Sequence, residues 1–140
     1  MLATGQSLAP ALDTLRLTLH VLAAAIWVGG QIVMMGLVGP SRALGAEAPK
    51  ALARAFARLA WPAYAVLVLT GFWNLSAFHW AAQSGAWKAV LMAKVAVVAA
   101  AGLGAFLHAR STSPAALAVW GSVAGSASVA ALVMGVLLAG

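Results

Sequence analysis

Cysteine is absent from this sequence, and acidic residues are nearly absent, since Asp13 and Glu47 are the only two. Without cysteine the chain cannot form disulfides, bind a metal through thiolates or use a cysteine nucleophile. The two acids flank opposite ends of the first apolar run, too far apart to form a carboxylate pair for acid–base catalysis. The serines lack a base partner, and there is no glycine-rich phosphate loop. Hydrolase and kinase activities are therefore excluded, and we assign no catalytic residue.

Charge is also scarce, at 7% of the residues, whereas 64% are hydrophobic. A soluble domain carries about 25% charged residues. The apolar residues fall into four runs, 15–38, 59–78, 89–109 and 115–139, each near the roughly 20 residues of a spanning helix. None shows the alternation of a barrel strand. The sequence predicts one all-α domain over residues 1–140, an integral membrane four-helix bundle in a lipid bilayer.

The few basic residues cluster in the two connections predicted to face the cytoplasm. Five lie between runs one and two or between runs three and four: Arg42, Lys50, Arg54, Arg58 and Arg110. Because basic residues mark cytoplasmic loops, we predict that both termini lie on the outer, periplasmic side of a bacterial inner membrane. This topology explains the net charge of +6 without a nucleic-acid partner.

The cytoplasmic segment 47–58 has a pattern of its own. Lys50, Arg54 and Arg58 recur every four residues and form one stripe, while Phe56 lies on another face. One interpretation is an amphipathic helix on the inner leaflet whose basic stripe contacts anionic lipids. The other is an ordinary solvated loop.

Polar side chains within the first run share one helical face. His20, Trp27, Gln31 and Met34 are spaced by seven, four and three residues, with Gly30 beside them. Intramembrane polar groups turn away from lipid, so this face should line the interior of the bundle. We identify His20, Trp27 and Gln31 as candidate cofactor-binding residues.

Lys94 is the fourth candidate cofactor-binding residue. It lies about 8 Å inside a third helix that starts near residue 89. An intramembrane lysine indicates function, but at this depth the amine can also snorkel to the interface. The four-residue spacing of Thr70 and Asn74 in the second run is typical of contacts between helices.

A metal site is the chemistry that these residues suggest. His20, His79, Met92 and Met134 all fall toward the predicted outer side. Imidazole and thioether groups suit copper, and imidazole also suits haem iron. His20 and His108 are separated by about 20 Å or more along the helices, so they cannot both ligate one haem in a single subunit.

The motifs resemble the core of the copper resistance protein D family. "LHVLAAAIWVGGQIV" is similar to its His-x6-Trp-x-Gly-Gly start, and "ARLAWPAYAVLVLTGFWNL" and "WKAVLMAKVAVVAAAGLGAFLHAR" to its next two helices. The resemblance implies copper handling or copper transport at the bacterial inner membrane, with His20, Trp27, Gly30 and Lys94 as the corresponding residues.

A second resemblance is to the small four-helix protoporphyrinogen oxidases of bacteria. These also pair a first-helix histidine, followed by tryptophan, with a third-helix lysine. The resemblance implies haem b, with His20 as an axial ligand and Lys94 facing a propionate or an acidic substrate.

Three functions therefore remain open. We expect copper handling first and a haem-binding redox protein or enzyme second. The third is a structural subunit of a homo-oligomer or larger membrane complex. Small residues of the fourth run favour the third alternative by permitting close helix packing: Gly121, Ser122, Ala124, Gly125, Ser126 and Ser128.

Overall fold

The computed structural model describes residues 8–140, and in this part of the chain the regular structure is entirely helical. Four long helices follow one another: α1 (Ala11–Arg42), α2 (Ala48–Ser76), α3 (Gly85–Arg110) and α4 (Pro114–Ala139). A single 3₁₀ turn, Trp80–Ala82, lies between α2 and α3. Each long helix is apolar enough to cross a membrane, which confirms the predicted all-α four-helix membrane bundle. Residues 1–7 of the predicted domain lie outside the described residues.

The outside of the bundle is apolar. Leu69 on α2 is 68% exposed and Leu137 on α4 is 64% exposed, and every helix carries similar side chains. Such a continuous apolar surface is unfavourable in water and favourable against lipid tails. The chain is therefore a multi-pass membrane protein. Following the predicted orientation, we call the end that holds the α2–α3 connection the outer end and the opposite one the inner end.

The bundle is assembled from two helical hairpins, α1 with α2 and α3 with α4. Hydrogen bonds join α3 to α4 at both ends of the second hairpin. At the outer end Trp87 Nε1 donates to the Leu138 carbonyl (3.2 Å), and at the inner end His108 Nδ1 contacts the Leu117 carbonyl at 2.8 Å. Between them, a Cβ on Gly104 would lie 3.0 Å from the Ala124 nitrogen. Small residues thus let the two backbones approach closely.

A π-helical segment, Ala25–Gly29, interrupts α1 near its middle. It holds Trp27 and Val28, two of the buried residues at the centre of the apolar core. A π-bulge adds one residue to a turn, and such bulges are frequent at functional sites. Here it lies where the two hairpins meet.

The segment 47–58 is neither a separate helix nor a loop: Glu47 is the N-cap residue of α2, and residues 48–58 form its first turns. Pro49 occupies the first turn, where proline starts a helix, and no glycine or proline follows until Pro62, which α2 accommodates internally. Phe56 packs against Gly30 of α1, so its apolar side faces the bundle. At 29 residues α2 is about 43 Å long, more than the roughly 30 Å of a hydrocarbon core.

The predicted orientation can be tested by cysteine labelling, because the chain has no native cysteine. Ala82 and Thr112 are exposed in the two opposite connections. We expect a membrane-impermeant maleimide to label Ala82→Cys in intact cells, and Thr112→Cys only after permeabilisation. The reverse pattern would place the termini in the cytoplasm.

Close packing between the hairpins predicts a position-specific cost of adding one methyl group. A Cβ on Gly102 would overlap the Tyr64 hydroxyl, whereas a Cβ on Gly125 meets nothing within 4 Å. Gly102→Ala should lower the free energy of unfolding in mixed micelles by about 1–3 kcal/mol. Gly125→Ala, the matched control, should leave it unchanged or raise it by up to about 1 kcal/mol. Equal effects would contradict the packing described.

Candidate functional site

The His20 imidazole is held by α2. Its Nδ1 lies 2.8 Å from Thr70 Oγ1, and the Thr70 hydroxyl donates to the Val66 carbonyl at 2.7 Å. A hydroxyl has one proton, so a Thr70 that donates to the backbone can only accept from His20. With the Thr70 proton donated to Val66, this arrangement favours the tautomer that carries its proton on Nδ1 and keeps the lone pair on Nε2.

That lone pair is available. Within residues 8–140, His20 Nε2 makes no hydrogen bond and is not one of the buried unpartnered atoms. The ring lies over Gly71, where an added Cβ would be 3.8 Å from Cε1. A half-buried imidazole whose other nitrogen is fixed by a hydrogen bond is how proteins prepare histidine for a metal.

Lys94 shares the region of His20. Its Nζ lies against α4, 2.9 Å from where a Cβ on Gly135 would be, and it is within electrostatic range of His20. The helices α3 and α4 are antiparallel, and the hydrogen bond between Trp87 and Leu138 places residue 87 level with residue 138. The backbone of Lys94 is therefore level with residue 131, and its amine, next to Gly135, lies about 6 Å closer to the outer end. The side chain thus extends toward the outer end, as in snorkelling, yet remains half-buried in the same half of the bundle as His20.

Arg16 is a site residue that the sequence did not identify. A cation near the start of a spanning run ordinarily lies at the membrane interface. The Arg16 side chain is instead only 10% exposed. Nη2 donates to Asp13 Oδ1 at 2.9 Å, and Nη1 lies 3.5 Å from the Asn74 carbonyl. Arg16 is one helical turn from His20 in α1, and this spacing was the signal that could have revealed it.

The outer half of the interior is consequently positive. Arg16 and Lys94 contribute two cations, and within the described residues Asp13 is the carboxylate that pairs with one of them. We use the name outer polar cluster for Asp13, Arg16, His20, Thr70, Asn74 and Lys94. It combines an imidazole lone pair with an excess of positive charge.

Trp27 and Gln31 lie deeper and have a shared partner. Trp27 Nε1 donates to Ser128 Oγ at 2.9 Å, and Gln31 Nε2 donates to the same oxygen at 3.1 Å. The Trp27 ring also packs against Tyr64, with centroids 4.5 Å apart, and against Trp61 at 5.7 Å. Both predicted cofactor-binding side chains thus connect α1 to α4, and Ser128, predicted only as a packing residue, is the acceptor between them.

The other three predicted metal ligands are differently placed. His79 is exposed in the outer connection. Met92 is 64% exposed on the side of α3 that faces away from the other helices. Met134 is partly buried on α4, one residue before the glycine that Lys94 contacts. Within the described residues there is no group of three or more histidine, cysteine, aspartate and glutamate side chains that could hold a metal ion. Of the predicted metal ligands, His20 is the one that the structure places in the outer polar cluster.

Comparison with protein-family models, curated proteins and solved structures finds no match to this chain.

The tautomer of His20 is directly measurable. In ¹⁵N-labelled protein in bicelles, we expect the His20 ring, assigned by its loss in His20→Ala, to show a protonated Nδ1 and an unprotonated Nε2. Thr70→Val removes the acceptor and should give a mixture of tautomers. Thr14→Val, which alters a threonine at the outer end of α1, is the control. A wild-type ring protonated at Nε2 would refute the assigned hydrogen bond.

Proposed function

We propose that this chain is a haem-binding membrane protein in which His20 is an axial ligand. The observation that supports it most is the hydrogen bond between His20 Nδ1 and Thr70 Oγ1, which favours an unprotonated Nε2 that has no hydrogen-bond partner in the described part of the chain. Imidazole nitrogen in this state is a common ligand of haem iron. The resemblance to the protoporphyrinogen oxidases, based on His20, Trp27 and Lys94, points to the same cofactor.

Charge favours haem over a bare metal ion. A copper ion next to His20 would lie within range of the uncompensated positive charge of Lys94, which disfavours a further cation. Haem instead carries two propionate carboxylates, and cations stabilise carboxylates in a low-dielectric interior. A bound haem would supply redox chemistry at its iron. The protein would supply the ligand, the charge complement and an apolar surrounding.

Copper handling is the second candidate. The resemblance to copper resistance protein D implies it, and the His20 lone pair suits copper as well. Met134 supports it because its thioether is partly buried near Lys94. The exposure of Met92 counts against the complete set of four ligands.

We further propose that the protein resides in a bacterial inner membrane, with Arg54 and Arg58 in contact with anionic lipids. Both are exposed near the inner end of α2. Lys50 is less available, because it donates to Glu47 at 2.8 Å. This hydrogen bond and the lysine charge lower the pKa of Glu47, so the pair stays ionised at neutral pH.

Optical and metal analysis of one preparation tests both functions. Protein purified from haem-replete cells should show a Soret band in stoichiometric amount. His20→Ala should abolish the band, and Thr70→Val should weaken haem affinity roughly 10- to 100-fold, as loss of an outer-shell partner does. His108→Ala, a histidine at the inner end, is the control.

The alternatives give different results. Stoichiometric copper without a Soret band, lost in His20→Ala, would replace haem by copper. Neither cofactor in wild-type protein, before and after reconstitution, would refute both.

A further inference from the structure

We propose that Arg16, with Asn74 beside it, forms a carboxylate subsite for the ligand that His20 would hold. The inference rests on the proposed haem function and deepens it. It assigns the anchoring of an acidic group to an arginine that neither the sequence motifs nor the family resemblances identify.

The first support is the incomplete hydrogen bonding of a buried guanidinium. Arg16 is 8% exposed, and its Nε is buried without a partner in the described part of the chain. The Asn74 Oδ1 is buried and unpartnered as well. Leaving a buried polar atom unsatisfied is costly, so two such atoms at one place indicate a missing partner.

The chemistry of these atoms fits a carboxylate. Asp13 accepts from Nη2, and the Asn74 carbonyl is a distant partner of Nη1 at 3.5 Å, so the guanidinium keeps donors for a second acid. A half-turn of the Asn74 amide exchanges Oδ1 for Nδ2 and presents another donor. Asp13 fixes the position of the guanidinium while the remaining N–H groups stay free.

Lys94 makes the local charge complementary to an acid. The Asp13–Arg16 pair is neutral overall, so the lysine charge is the uncompensated one in the outer polar cluster. It has no hydrogen-bond partner among the described residues, although it is half-buried. An anion bound at Arg16 would bring negative charge into the same half of the interior, where water is scarce.

Spacing along the helices gives the ligand a direction. Arg16 and His20 are four residues apart on α1, and so are Thr70 and Asn74 on α2. The arginine level is therefore about 6 Å closer to the outer end than the histidine level. A ligand held by His20 would direct its acidic group outward and its apolar body toward the bilayer.

The test compares haemin with haemin dimethyl ester, whose carboxylates are blocked. Apo-protein in detergent is titrated with each probe, and the ratio of their dissociation constants is compared between variants, which cancels partitioning into micelles. Wild-type protein should prefer the acid roughly tenfold or more, as expected for a charge-assisted hydrogen bond. Arg16→Gln should still bind the ester. Its ratio of dissociation constants should approach the ratio expected from partitioning of the two probes into the micelle alone. Arg110→Gln, which removes an arginine at the inner end, should keep the wild-type ratio.

A second variant keeps the test decisive if Arg16→Gln fails to fold. Asn74→Asp places a negative charge at the subsite and should reduce the preference for the acid without weakening the ester. If Arg16→Gln binds neither probe, Asn74→Asp decides, and an unchanged ratio overturns the inference. An unchanged ratio in Arg16→Gln also overturns it, because the unpartnered atoms are then merely hydrated. If wild-type protein binds neither probe, the proposed function itself fails, and the subsite with it.

Discussion

A polar side chain inside a bilayer has no water to bind, so it must find its partner within the bundle, and this constraint explains where the helices of this protein touch. Trp27 and Gln31 of α1 share the Ser128 hydroxyl of α4, and Tyr64 of α2 donates to the Val98 carbonyl of α3 at 2.8 Å. Each bond connects one hairpin to the other. Since lipid tails offer no hydrophobic drive for helix association, such bonds and the close packing of small residues hold the hairpins together.

The same constraint divides the interior into two levels. In the middle, the indole N–H of Trp27 has an acceptor and the surrounding rings are closely packed. Toward the outer end, Arg16 Nε and Asn74 Oδ1 remain unpartnered, and Lys94 carries a charge without an acid beside it. The middle level therefore specifies the fold. The outer level has buried polar atoms without protein partners, which is why we propose the ligand site there.

Hydropathy was sufficient to predict the four spans and the inward face of α1, because a helix in lipid needs a long apolar run with its polar side chains on the interior face. It was not sufficient for the start of α2. There the basic stripe resembled a surface helix, and only the contact of Phe56 with Gly30 explains why the segment belongs to the bundle. The π-helical segment left no sequence signal beyond a pair of glycines. The burial of Arg16 could not be predicted, because a cation near the start of a span is ordinarily an interfacial residue.

The choice between haem and copper depends on what surrounds one imidazole rather than on the imidazole itself. Hydrogen bonding of Nδ1 to Thr70 would leave Nε2 of His20 able to bind either metal. A copper site needs further soft ligands to converge on the ion, and Met92 and His79 are both exposed. A haem brings four of its own nitrogen ligands and needs from the protein an axial base and partners for two carboxylates. Under the proposal Arg16 and Lys94 would be such partners, whereas a copper ion beside His20 would add positive charge to an interior in which the charge of Lys94 is already uncompensated.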